Sequence, residues 1–190
     1  MKFRSLTEAD IECRIQQVKP NGLSLLLYKN ARVDMAILDE TVGAENWQRE
    51  HYECKGNLFC RVGICCKMNI DESGNNGDIL SPSWVWKSDC GAESNTEAEK
   101  GEASDSFKRA CVNWGIGREL YTAPFIWIPS DKCKIEGDKC RDRFSVEKVR
   151  VEGGRITGLA IRNDTLGKRV YVYAPEKAEK QDGNKNTRKL

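Results

Sequence analysis

The chain has 190 residues and a formal net charge of +2, with 32% of its residues charged. That length gives one domain, or one domain and a small appendage, with room for a real core. The near balance of charge excludes a globally basic nucleic-acid binder, so any such surface has to be local. No apolar run approaches the roughly 18 to 20 residues of a membrane span, and the first five residues lack the apolar stretch of a signal peptide, which sets the expectation of a cytoplasmic protein.

Thr7 and Asp10, placed ahead of Ile11, Ile15 and Val18, predict an N-capped short helix that ends before Pro20. A turn at Asn21 and Gly22 leads into residues 23–28, short and apolar enough for a buried strand. After a corner at Lys29 and Asn30 the spacing of Val33, Ala36 and Ile37 becomes helical, and Gly43 closes that helix. Residues 47–89 read as an antiparallel meander. In its middle strand Leu58, Cys60, Val62, Ile64, Cys66 and Met68 share one face, opposite Arg61 and Lys67. Lys55-Gly56-Asn57 and the Gly/Asn-rich residues 71–77 supply the turns, and Trp84 and Trp86 share a face of the third strand.

A long helix is expected from near Thr96 to Trp114, with Ala103, Phe107, Ala110, Cys111 and Trp114 forming its inward stripe. Gly115-Ile116-Gly117 breaks it, and Arg118 to Tyr121 begin another turn before Pro124. Residues 130–143 read as an exposed loop, 144–173 as short strands in a small β appendage, and 176–190 as a disordered charged tail. The fold class expected is therefore α+β: a three-stranded antiparallel β meander packed with a long helix, a β-β-β-α core, and a small β appendage at the C-terminal end. The core would occupy residues 1–129, and the loop with the appendage 130–175.

Nine cysteines could be disulfides, metal ligands or plain thiols. Without a secretory signal disulfides are disfavoured. Cys60 with Cys65 and Cys66, or Cys133 with Cys140, are the most metal-like spacings, but neither is a Cys-x2-Cys pair and His51 is the only histidine. Small apolar residues facing inward suit Cys60 and Cys66 better, and no metal is expected. A metal-dependent nuclease could be drawn through Asp89, Glu93, Glu97 and Glu99. It lacks two carboxylates leaving one strand beside a lysine, Lys87 and Asp89 being the nearest approach. Gly115-Ile116-Gly117 follows a helix instead of a strand, so it is no dinucleotide loop, and no nucleoside triphosphate motif is present. Neither a cofactor nor a catalytic residue is indicated, which points away from an enzyme.

Basic residues remain. Lys100, Ser104 and Lys108 lie at i, i+4 and i+8 of the long helix, away from the Phe107 stripe, which sets the lysines roughly 12 Å apart along the axis. Arg109 widens that strip, and Lys29 and Arg32 sit at the strand-to-helix corner. Each alone is an ordinary solvated charge.

Two separated blocks carry a more specific signal. Tyr28-Lys29-Asn30-Ala31-Arg32-Val33 with the helix up to Trp47, and residues 101–110 with Trp114-Gly115-Ile116-Gly117-Arg118-Glu119-Leu120-Tyr121, resemble the Rad52/Rad22 family of strand-annealing proteins, its phage members above all. The resemblance covers about residues 23–125 and implies a closed homo-oligomeric ring with single-stranded DNA wound in a basic outer groove. It implies annealing of complementary strands in recombination and repair without ATP, in a bacterial host cytoplasm if the protein is phage-encoded. A single-stranded-DNA-binding protein is a further partner to expect beside the DNA and the chain's own copies. Carried over by position, Arg32 matches a groove arginine, Lys108 and Arg109 a basic pair, Lys100 a further groove lysine, and Lys29 is their neighbour. The alternatives left by the residues themselves are the nuclease and a passive protein that coats single strands.

Overall fold

A computed structural model describes residues 1–66, 83–92 and 98–175. The expected turn at 71–77, the approach to the long helix through Glu93, Thr96 and Glu97, and the charged tail lie outside the described residues.

Thr7 and Asp10 do form a cap, but around a single 3-10 turn, Glu8–Asp10. The Thr7 backbone N–H and hydroxyl both donate to Asp10 Oδ2, at 2.8 and 2.7 Å. The chain then runs as a strand, β1 (Glu12–Lys19), where a helix was expected. A bulge explains the misreading: Ile15 pairs with Leu25 and Gln17 with Ser24, leaving Gln16 over. The inward side chains become Cys13, Ile15 and Val18, and one inserted residue makes a period of two resemble a helical spacing. β1 turns through Pro20 and Asn21 into β2 (Gly22–Tyr28), which buries Leu23, Leu25 and Leu27. Gly22 is required there, because a Cβ would stand 2.5 Å from the Ile128 carbonyl oxygen of the adjacent strand.

Helix α1 (Ala31–Val42) begins where Asn30 Oδ1 accepts from the Arg32 and Val33 N–H groups, at 2.9 and 3.3 Å. It buries Asp34, Ile37 and Leu38. Next come β3 (Trp47–Cys54), β4 (Asn57–Cys66) and β5 (Ser83–Cys90), a three-stranded antiparallel sheet with β4 central. Lys55 and Gly56, with φ of +55° and +75°, make the tight β3–β4 turn. Cys60, Val62 and Ile64 of β4 are fully buried, and helix α2 (Ala98–Trp114) packs on β4 and β5 through Phe107, Ala110 and Cys111.

The chain continues through a 3-10 turn (Arg118–Thr122) to β6 (Ile126–Pro129) and a small hairpin, β7 (Ile135–Glu136) with β8 (Lys139–Cys140). It ends in β9 (Phe144–Glu152), β10 (Arg155–Asn163) and β11 (Lys168–Tyr173). The span 130–143, read as loop, thus contains this hairpin and buries Cys133 and Asp142.

These strands overturn the expected fold class. The largest unit is a six-stranded antiparallel sheet in the order β11-β10-β9-β1-β2-β6, and the described residues hold only two α-helices. The protein is mostly β, not a three-stranded meander on a long helix with an appendage. Residues 144–173 are half of the main sheet. Two facts hid it: the bulged β1 imitates a helix, and β9 reaches β1 across more than a hundred residues of sequence, meeting it in one register pair, Glu12 with Ser145. No helix among the described residues is long and apolar enough to cross a membrane.

Candidate nucleic-acid interface

The end of β2 meets the outer face of α2 in an open groove of about 300 Å³. Leu26, Tyr28 and Lys29 line one side, Asp105, Lys108, Arg109 and Val112 the other, and Gly117 and Tyr121 close one end. Of the residues singled out from sequence, Lys29, Lys108 and Arg109 therefore come together. Arg32 lies exposed in the first turn of α1, with no ion-pair partner among the described residues, and Lys100 lies exposed in the first turn of α2.

These cations are held differently. Lys108 is half-buried, with Nζ 3.7 Å from Asp105 Oδ1 one turn earlier. Such a pair is worth a few tenths of a kcal/mol at most, so the ammonium is available to a stronger anion. Arg109 is exposed, with Nε 3.4 Å from Asp89 Oδ1 of β5. Asp89 also accepts from Asn113 Nδ2 at 3.4 Å. Its neighbour Lys87 donates to the Asn113 carbonyl at 2.9 Å and stands 4.6 Å over the Trp114 ring. The Lys87–Asp89 arrangement that came nearest to a nuclease motif is thus occupied in fastening α2 to β5.

Lys29 is the exception. It is 4% exposed and its ammonium donates to Asp34, itself fully buried. The second oxygen of Asp34 has no hydrogen-bond partner among the described residues. Burial pushes the Asp34 carboxyl up to about 6, against the pull of the Lys29 ammonium. The Lys29 stem crosses Gly117 so closely that a Cβ there would stand 2.3 Å from Lys29 Cε, and Gly117 also has a φ of +69°. Only glycine satisfies both demands. Lys29 therefore joins the β2–α1 corner to the break after α2, along one side of the groove.

Glu12 of β1 fixes the same corner, accepting from the Tyr28 hydroxyl and, at 2.8 Å, from Asn30 Nδ2. These two hydrogen bonds hold its carboxyl below the usual range. At the other end, buried Glu119 accepts from the Leu6 N–H at 2.7 Å. Sequence reasoning missed Glu12, Asp34, Glu119 and Tyr121. The one available signal for Asp34 was an acid on the inward side of α1, one turn beyond a lysine.

All nine cysteines are free thiols. Burial pushes the Cys60 thiol up to about 11, so it packs as a small apolar side chain. Among the described residues no group of three His, Cys, Asp or Glu side chains could hold a metal ion.

No curated protein and no solved structure matches the chain. A sequence model of the family described as Rad52/22 family double-strand break repair protein does match, over residues 4–138. The match takes in β1 and β2, α1, the three-stranded sheet, α2 and β6, hence every residue of the groove, and stops short of β9. Family members act in DNA repair and recombination by annealing strands. Spanning well over half of the sequence, the match establishes that this chain belongs to the Rad52/22 family of double-strand break repair proteins.

Proposed function

We propose that the protein binds single-stranded DNA along the groove between β2 and α2 and anneals complementary strands, as a ring-like homo-oligomer that needs no ATP. The observation that carries this reading is the convergence of Lys108 and Arg109 with the end of β2 in one open groove inside the family-matched region. Arg32 and Lys100, exposed at the first turns of the two helices, extend the basic surface to either side. Lysine and arginine contacts to phosphate grip a strand without reading its sequence. Annealing then asks only that repulsion between two polyanions be lowered and one strand be held extended, a positioning task without a nucleophile. In a ring, modest grips repeated by each copy add up to tight binding. Lys29 acts here as a support, holding the β2–α1 side of the groove through Asp34.

Arg32→Ala and Lys108→Ala are each expected to weaken single-strand binding and to reduce its salt dependence by about 0.7 in the log–log slope, the value for one phosphate contact. Stability should change by no more than about 0.5 kcal/mol. Anisotropy titrations at several salt concentrations, beside thermal melts, read both. Wild-type affinity in both variants would remove the assignment. Mixing labelled complementary strands with the protein, with and without magnesium, separates annealing from cleavage and from passive retention.

A further inference from the structure

The end of the groove holds an aromatic side chain that neither the cation assignments nor the core explains. Tyr121 is 70% exposed, and its hydroxyl makes no hydrogen bond among the described residues. An apolar ring left in water is unfavourable by tens of cal/mol for each Å², and a mobile segment would let it fold away. This segment is tied down. The turn Arg118–Thr122 is anchored by the Glu119 carboxylate to Leu6 N–H, at 2.7 Å, and by the Ile156 N–H to Thr122 Oγ1, at 2.9 Å. Arg118 donates to the Val112 and Asn113 carbonyls, at 3.0 and 3.2 Å, locking the turn to the end of α2. The turn that carries the ring is thus anchored at the end of the groove, next to the side that carries Lys108 and Arg109, with Leu26, itself exposed, also lining the groove.

A rigid aromatic face beside fixed cations is the combination that binds a nucleotide at both ends: cations take the phosphate, and the ring takes the base by stacking, whatever its identity. We propose that Tyr121 is a base platform: in each protomer one base of the bound strand stacks on its ring, while Lys108 and Arg109 hold the flanking phosphates. The occupant is committed by charge, because the two cations lining the same groove call for a polyanion. This inference rests on the groove reading above and adds a contact to the base itself. One stacked base per subunit would mark the register of the strand along a ring, leaving the bases between free to pair.

The test uses the full chain and two labelled oligonucleotides of equal length: oligo-dT, and an abasic strand with the same phosphates and no bases. Tyr121→Ala should weaken oligo-dT binding about fivefold or more, leave abasic binding unchanged, and keep the wild-type salt slope. Tyr121→Phe, which retains the ring, should bind oligo-dT as the wild type does. Equal losses on both strands, or no loss on oligo-dT, would overturn the platform. A changed oligomer mass for Tyr121→Ala on a sizing column would overturn it too, because the ring would then belong to a contact between copies. Wild-type protein that binds neither strand at low salt would sink the groove reading itself, a result distinct from the others.

Discussion

Asp34→Ala should lower stability by about 3 to 5 kcal/mol, because it takes from a buried ammonium the acceptor that Asp34 offers in either protonation state. That ammonium, on Lys29, is 4% exposed, and its stem cannot swing aside because Gly117 lies against it. For a chain of this size the loss corresponds to a fall in Tm of roughly 6 to 20 °C. Replacing both members by apolar residues, Lys29→Met with Asp34→Leu, should cost much less, since no unpaired charge remains. Urea denaturation of the single and double variants checks the comparison, and a single-variant loss below about 1 kcal/mol would show that the pair is not the element described.

The same pair gives a pH dependence with a definite sign. The Asp34 carboxyl titrates near 6 in the fold and near 3.8 when unfolded, so the folded state holds the proton more tightly. Its contribution to stability is fully present below about 3.8 and is lost as the pH rises through about 6. Asp34→Asn cannot lose that proton, and the difference in stability between pH 4.5 and pH 7.5 should shrink in this variant.

The second large effect lies one residue before the groove cations. Phe107 is fully buried, stacks on Trp47 with ring centroids 6.1 Å apart, and carries the Arg49 guanidinium 4.8 Å from its own centroid. Phe107→Ala should cost about 3 to 5 kcal/mol, from lost apolar burial and from the cavity left between α2 and the three-stranded sheet. Phe107→Leu keeps more of the volume and should lose less. Because Lys108 and Arg109 follow directly, the Ala variant should also lose DNA binding at temperatures where the wild type retains it. Melting followed with and without oligo-dT reads both, and a loss under about 1.5 kcal/mol would mean that the site refills.

What could be read from the residues depended on how local the signal was. β2, α1 and β4 announce themselves through an apolar run, a helical spacing behind Asn30, and a strict alternation through Cys60, Val62 and Ile64. β1 did not, because its bulge at Gln16 replaces alternation with a spacing that mimics a helix turn. The main sheet was illegible for another reason: β6 is four residues long, and the partners of β1 and β9 are fixed by tertiary packing that no window of sequence contains. The basic residues around the groove were visible as charges, but nothing local distinguishes Lys29, buried on Asp34, from Arg32 three residues later in water. Tyr121 was visible as the end of a turn and of the second resembling block, with no role attached to it. Its exposure depends on Glu119 reaching back to Leu6, a link over 113 residues.

The meeting of β1 and β9 has a mechanical consequence. Four of the five seams in the main sheet are ladders of four or more register pairs, whereas the β1–β9 seam has one, Glu12 with Ser145. Beside it Glu8 accepts from the Val149 N–H at 3.0 Å, and the two outer edges of the sheet are tied to each other where the Tyr171 hydroxyl of β11 donates to the carbonyl of Phe125, just before β6, at 3.1 Å. Two such fasteners make a clasp, with each half of the sheet stiff and the line between them compliant. Under tension the clasp should open along that line before any strand leaves its own ladder, and amides on the β1-facing edge of β9 should exchange with solvent sooner than those bonded to β10.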